Sequence, residues 1–257
     1  MTKNEIIEYL NKISSNKFKN NVVKMGIPEE NSIGVSTGDI RKLAKKLGVS
    51  QTLSNELWET GYHEAKLLSV LIADTSMINF TYIYKIMKDV LSWDLCDHVC
   101  KNLIINIPNY ERLIFEWCDD SRIYYKRASY CLIATTIMHN KDLDPEEIDR
   151  YLDLINSYSD DDRPHVKKAI SWALREIWKK DFNYQEKAII LAYEFCESLS
   201  KNMVWIGKNA LKELETLVSV EERGRLITSN SKMCKKNKSP TRKSERFIVK
   251  LMYARTH

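Results

Sequence analysis

The sequence predicts an all-α fold, a curved solenoid of antiparallel helical hairpins with a concave basic groove. Three observations carry this. Apolar residues recur at three- and four-residue steps, only seven glycines and five prolines punctuate 257 residues, and one stretch of sequence returns twice at a fixed step of 41 residues. No run alternates with period two for long enough to suggest a sheet.

Taken in order, the elements read as follows. "MTKNEIIEYLNKISSNKF" sets Ile6, Ile7, Leu10 and Ile13 at helical spacing among charges, so it is an amphipathic helix and lacks the continuous apolar core of a signal peptide. Leu57, Leu67, Leu68 and Leu71, then Ile83, Ile86, Met87 and Val90, continue the pattern. "LSWDLCDHVCKNLI" (91–104) places Leu95, Val99, Cys100, Leu103 and Ile104 on a buried helix face, interrupted by Trp93 and Asp97 four residues apart. Pro108, Pro145 and Pro164 fall where helices should begin or be preceded by a loop. About a dozen helices of ordinary length are expected.

The repeat is the most informative feature. "DSRIYYKRASYCL" (120–132), "DDRPHVKKAISWA" (161–173) and "NMVWIGKNALKEL" (202–214) align Asp120, Asp161 and Asn202; Lys126, Lys167 and Lys208; and Ala128, Ala169 and Ala210. A small polar residue before a helix, a basic residue within it and an alanine nearby, at this period, describe stacked hairpins of the HEAT class. The alanines let helices approach, and the lysines are expected to emerge together on one side. "DIRKLAKKL" (39–47) and "YHEAKLLSVLI" (62–72) read as degenerate copies. The expected organisation is a repeat domain over 1–218 and a basic extension over 219–257, made of a linker and a short amphipathic helix capped by Ser244.

Net charge is +5 but unevenly spread: residues 219–257 hold eleven Lys/Arg and three Glu, against 29 basic and 32 acidic residues in 1–218. The body is close to neutral and the tail strongly basic, which points to a polyanionic partner for the tail. No apolar run approaches the ~20 residues of a spanning helix, so no membrane role is expected and the protein is assigned to the cytoplasm; a monomer is expected. Cys96, Cys100, Cys118, Cys131, Cys196 and Cys234 sit mostly in apolar helical stretches and read as reduced small hydrophobes. Cys96, His98 and Cys100 have no second Cys/His pair at zinc spacing, so no metal and no cofactor are expected.

"SWDLCD", "YYKRASY" and "VKKAISWALREI", in that order, resemble the AlkD-type DNA alkylation repair enzymes, a HEAT-like family of DNA glycosylases. "GVSTGDIRKLAKKLG", "HEAKLL" and "WIGKNALKEL" extend the resemblance from about residue 25 to 217. It implies an active site of two aromatics and a carboxylate, which fall on Trp93, Asp97 and Trp172. It also implies that Arg127 holds the DNA backbone, with Lys168 and Arg175 as further contacts beside the lysine column Lys126, Lys167 and Lys208. Arg175 shares the face of Trp172. Ser92 stands where related enzymes often carry another aromatic. The resemblance further implies duplex DNA, preferably alkylated, held in a groove rather than a base read in a deep pocket.

The chemistry asks for such residues on its own terms. A purine alkylated at N3 or N7 is cationic, hence a good leaving group, and its departure leaves an oxocarbenium-like sugar. Indole faces attract cations, and a carboxylate near C1′ stabilises the developing charge. Trp93 and Asp97, at i and i+4, project from one helix face. No general acid is needed for a leaving group that already bears charge, so His63, His98, His139 and His165 are assigned surface or capping roles. Asp94 reads as a first-turn acid and Ser92 as an N-cap; Trp58, Trp117, Trp178 and Trp205 read as packing residues. The alternative is a non-catalytic HEAT-like protein that binds damaged or distorted DNA. A protein-binding scaffold is the third class.

Overall fold

Short polar residues begin most of the helices. In the computed structural model, which describes residues 1–140, 142–214, 216–220 and 223–236, Thr2, Ser15, Ser36, Ser50, Asn79, Ser92, Asp144 and Asp181 each accept a first-turn backbone N–H that has no partner inside the helix. Pro145 and Pro164 occupy first-turn positions, where a missing N–H costs nothing.

The helices are α1 (Lys3–Lys12), α2 (Asn16–Lys24), α3 (Thr37–Leu47), α4 (Gln51–Trp58), α5 (His63–Ile72), α6 (Phe80–Met87), α7 (Trp93–Asn102), α8 (Arg112–Trp117), α9 (Ile123–His139), α10 (Pro145–Tyr158), α11 (Pro164–Trp178), α12 (Phe182–Glu197), α13 (Lys201–Leu214) and α14 (Lys232–Lys236). A two-stranded antiparallel sheet, β1 (Leu217–Val218) and β2 (Ile227–Thr228), pairs Leu217 with Thr228 and Val218 with Ile227. Among the described residues no helix is long and apolar enough to cross a membrane. The chain packs as two compact units, Met1–Thr135 and Thr136–His257, so packing divides within α9 and not at the composition change near 218.

In the first unit α4 packs on α5, and α5 packs on α3 and α7. Helices α5, α7 and α9 begin at His63, Trp93 and Ile123, a step of 30 residues that a search for a 41-residue repeat passes over. The step is shorter because the intervening helices are short: α4 and α6 have 8 residues and α8 has 6, whereas α10 has 14 and α12 has 16. Contacts follow the same step. Buried Glu64 accepts hydrogen bonds from the backbone N–H groups of Ile33 (3.0 Å) and Gly34 (2.7 Å), and the Trp58 indole donates to Asp89 (3.1 Å). Gly34 has φ +96°, and a Cβ there would lie 2.7 Å from the Ser15 carbonyl oxygen, so only glycine fits.

In the second unit α11, α12 and α13 pack mutually. The repeat alanines do what their size predicts: Ala128, Ala169 and Ala210 are all buried. Gly207 marks a close approach of α12 and α13, since a Cβ would overlap the Ala192 carbonyl oxygen and the Cys196 sulfur.

Two expectations concern the C-terminal extension. The segment after 218 is more than a linker: it supplies β2, which pairs with β1, and α14, with Val218, Val220, Ile227 and Cys234 buried together. The Leu226 N–H donates to the Lys179 carbonyl (2.8 Å) and Arg225 pairs with Glu176, which fastens the hairpin to the end of α11. The amphipathic helix expected after Ser244 lies outside the described residues.

Candidate functional site

The sequence places a polar cap, an aromatic and two acids at the start of a helix whose other residues are apolar. Ser92 is buried and accepts the Leu95 N–H (3.4 Å), which starts α7 and sets the direction of Trp93. Asp94 bonds the Leu95 N–H (2.9 Å) and, at 3.0 Å, the His63 ring on α5. Burial works against its ionisation, yet the His63 and Ser92 hydrogen bonds hold it below the ordinary carboxylate value. Asp94 is therefore a first-turn acid that also ties α7 to α5.

Trp93 is 40% exposed, while Leu95, Cys96, Val99 and Cys100 on the same helix are buried. One turn on, Asp97 meets Arg127 of α9 in a two-pronged pair: Nε donates to Oδ1 and Nη2 to Oδ2, both at 3.0 Å. The side chains are 14% and 7% exposed. Burial pushes the Asp97 carboxyl above its ordinary value, against the pull of Arg127 and Lys101. The Arg127 guanidinium also lies 5.8 Å from the Trp93 ring centroid. Trp93, Asp97 and Arg127 thus form one cluster, with the indole outermost and the ion pair behind it.

The α7–α9 seam holds the cluster in place. The Cys96 thiol donates to the Tyr124 carbonyl (3.4 Å) and the Cys100 thiol to the Ala128 carbonyl (3.8 Å). Among the described residues no three His, Cys, Asp or Glu side chains converge on a metal-sized site. Burial lowers the His98 pKa, favouring the neutral ring, which bonds the Asp94 carbonyl oxygen (3.2 Å). Tyr124, half-buried and within electrostatic reach of Cys96, Arg127 and Asp94, borders the cluster as well. Its place in "YYKRASY" was visible in the sequence, but nothing there separated it from Tyr125, which is buried against Trp117.

The expected lysine column is corrected at Lys126. That residue is 4% exposed and its Nζ meets Asp119 at 3.2 Å, so it does not emerge from the stack. Arg127 likewise faces inward to Asp97. In the second unit, Lys168 and Lys208 are exposed. Lys167 donates to Asn202 (3.1 Å) and lies 5.8 Å from the Trp205 ring centroid. Arg175 is half-buried, 3.6 Å from Glu213.

Trp172, on α11, is half-buried and its indole N–H donates to Glu176 (3.2 Å). Glu176 also accepts from Lys179 (3.2 Å) and Arg225. Burial raises its pKa, but Lys179 and Arg225 more than offset this and hold it below its ordinary value. Trp58, Trp117 and Trp178 are packing residues, at 7%, 1% and 0% exposure. Trp205, expected among them, is 37% exposed and is corrected to a surface residue.

Comparison with known proteins bears on the family and the fold. The family model described as DNA alkylation repair enzyme matches residues 6–203. No curated protein matches the chain. A solved structure from "a new family of proteins related to the HEAT-like repeat DNA glycosylases with affinity for branched DNA structures" superposes with a TM-score of 0.67 at 16% identity, covering 92% of this chain and 94% of that one. A designed armadillo repeat protein in complex with the peptide (KR)4 reaches a TM-score of only 0.34, at 16% identity over 67% of this chain and 72% of its own. The first match shows that this chain has the all-α, HEAT-like repeat fold. With the family match spanning most of its length, the chain belongs to the DNA alkylation repair enzyme family.

Proposed function

We propose that this protein is a DNA glycosylase that removes positively charged N3- or N7-alkylated purines from duplex DNA. The observation that carries the proposal is the exposed Trp93 indole beside the Asp97 carboxylate on one face of α7. An aromatic left 40% exposed at the head of a helix with no other exposed residue is suited to a flat cationic partner.

In the proposed reaction the C1′–N9 bond breaks and its electron pair stays with the purine, which leaves as a neutral base. The sugar becomes oxocarbenium-like, and the Asp97 carboxylate stabilises it. Water adds its oxygen to C1′ and releases a proton. Arg127 donates to both Asp97 oxygens and, with the Cys131 thiol, keeps the group oriented. Trp172 is assigned the second aromatic wall from the resemblance, and Lys167, Lys168, Arg175 and Lys208 are assigned to phosphates.

A second reading draws on the same ion pair. A carboxylate gripped on both oxygens by a buried guanidinium is partly neutralised, which suits a protein that binds damaged or branched DNA without excising a base. The related solved structure belongs to a family described as having affinity for branched DNA.

Incubation with duplexes containing 7-methylguanine or 3-methyladenine separates the two. The glycosylase reading expects release of the free base, and a loss of about 10²-fold or more in single-turnover rate for Asp97→Asn at saturating enzyme. Binding without release supports the second reading, and equal rates in wild type and variant remove Asp97 from the chemistry.

A further inference from the structure

Helix α13 carries an unusual surface. Lys201, Trp205, Lys208 and Lys212 are its exposed residues, and at 3.6 residues per turn they fall within an arc of about 60° along about 16 Å of helix. The opposite face, with Ile206, Gly207 and Ala210, is buried. Among the described residues none of these three lysines forms an ion pair. Lys167 of α11 adds a fourth ammonium, 5.8 Å from the Trp205 ring centroid. Two acids nearby are turned to other work: Asp160 accepts from Ser200 (2.5 Å) and Asn202 (3.1 Å) at the helix start, and Glu213 pairs with Lys179 (2.8 Å) and Arg175 (3.6 Å).

We infer that this face of α13 is a stacking platform for an unpaired nucleobase, with the lysines on the flanking phosphates. The inference rests on DNA being the ligand of the proposed function and deepens it by naming a feature of DNA structure. A matched duplex hides its base faces by stacking. An exposed indole flanked along the helix by ammonium groups is complementary to a single strand, whose bases offer free faces between successive negative charges. The close contact at Gly207 holds α13 against α12, so the platform is rigid before any ligand arrives. Duplex DNA alone would call for the lysines and leave the tryptophan unexplained.

The test uses the full chain, the variants Trp205→Ala and Trp205→Phe, and four probes: an oligothymidylate, a fork with unpaired arms, a matched duplex, and phosphatidylglycerol vesicles. The vesicles are included because Leu199, just before α13, is also fully exposed. Trp205→Ala is expected to keep the wild-type melting temperature and to weaken binding to oligothymidylate and fork about tenfold, with matched duplex within about twofold. Trp205→Phe is expected to recover most of that loss, since a phenyl ring still stacks. Equal loss on every DNA, no loss on any, or a loss confined to vesicles each overturns the inference. If the wild-type chain binds no DNA at all, the proposed function fails with it; if it binds and releases alkylated bases while Trp205→Ala leaves single-strand affinity unchanged, only the stacking platform falls.

Discussion

Arg127 is assigned by resemblance to hold phosphate, and in the folded chain its guanidinium is committed to Asp97. A buried pair is tolerable because each charge neutralises the other and the hydrogen bonds are well formed; removing one partner strands the other. Arg127→Ala is therefore expected to lower stability by about 3 kcal/mol, measured by urea unfolding, while the salt slope for duplex binding stays unchanged. The double variant with Asp97→Asn should lose less than the sum of the singles, because the stranded charge is gone. A slope that falls by about one phosphate contact would return Arg127 to the DNA backbone. Trp93 and Trp205 illustrate the same point at the surface: two indoles of similar exposure, one beside an ion pair and one beneath a lysine, stand in different surroundings.

At the scale of elements, seams between helices decide what each face presents. Helices α7 and α9 close over Cys96, Cys100 and Ala128, which leaves Trp93 at the rim. Helix α11 ends in a polar knot in which Glu176 accepts from Trp172, Lys179 and Arg225, so the hairpin is tied to the helix that carries Trp172. Glu176 has a folded pKa below its ordinary 4.5, so the stability it contributes is present above about that pH and is lost as pH falls through the folded value. Thermal melts of Glu176→Gln should lie below wild type at neutral pH, and the gap should narrow in acid. A gap that stays constant with pH would mean that the knot acts through packing alone.

For the whole molecule, charge is concentrated at one end of the sequence. Residues 237–257 hold six Lys/Arg and one Glu, beyond the buried contact of Cys234 with Val218, Val220 and Ile227. Cutting at Thr228 would remove Cys234 from that cluster, so Lys236 is the better end point for a truncation. A chain ending at Lys236 is expected to keep the wild-type melting temperature and its single-turnover excision at saturating enzyme. Its duplex affinity should fall, with a dependence of log K on log salt shallower by about 0.9 or more, one phosphate contact or more. Unchanged affinity would confine DNA binding to residues 1–236.

Much was legible in the sequence because much is local. Helical periodicity, Ser92 as a cap, and Pro145 and Pro164 at helix starts depend on residues within one or two turns of each other, and the alanines, legible from the 41-residue repeat, are buried as small residues between helices should be. So does the placing of Trp93 and Asp97 on one face, which follows from a four-residue step in any α-helix. Tertiary structure alone decided what stands across each gap. It turned Lys126 and Arg127 inward to Asp119 and Asp97, and left Trp205 at the surface beneath Lys167. It also fastened the β1–β2 hairpin to α11, through contacts spanning nearly 50 positions such as Glu176 to Arg225. Long charged side chains can reach either solvent or a neighbour, and the choice depends on whether burial supplies a partner that offsets desolvation. For Arg127 and Arg225 that partner lies 30 or more residues away on another element, and for Lys126 it lies seven residues back in the turn before α9, places about which helical periodicity carries no information.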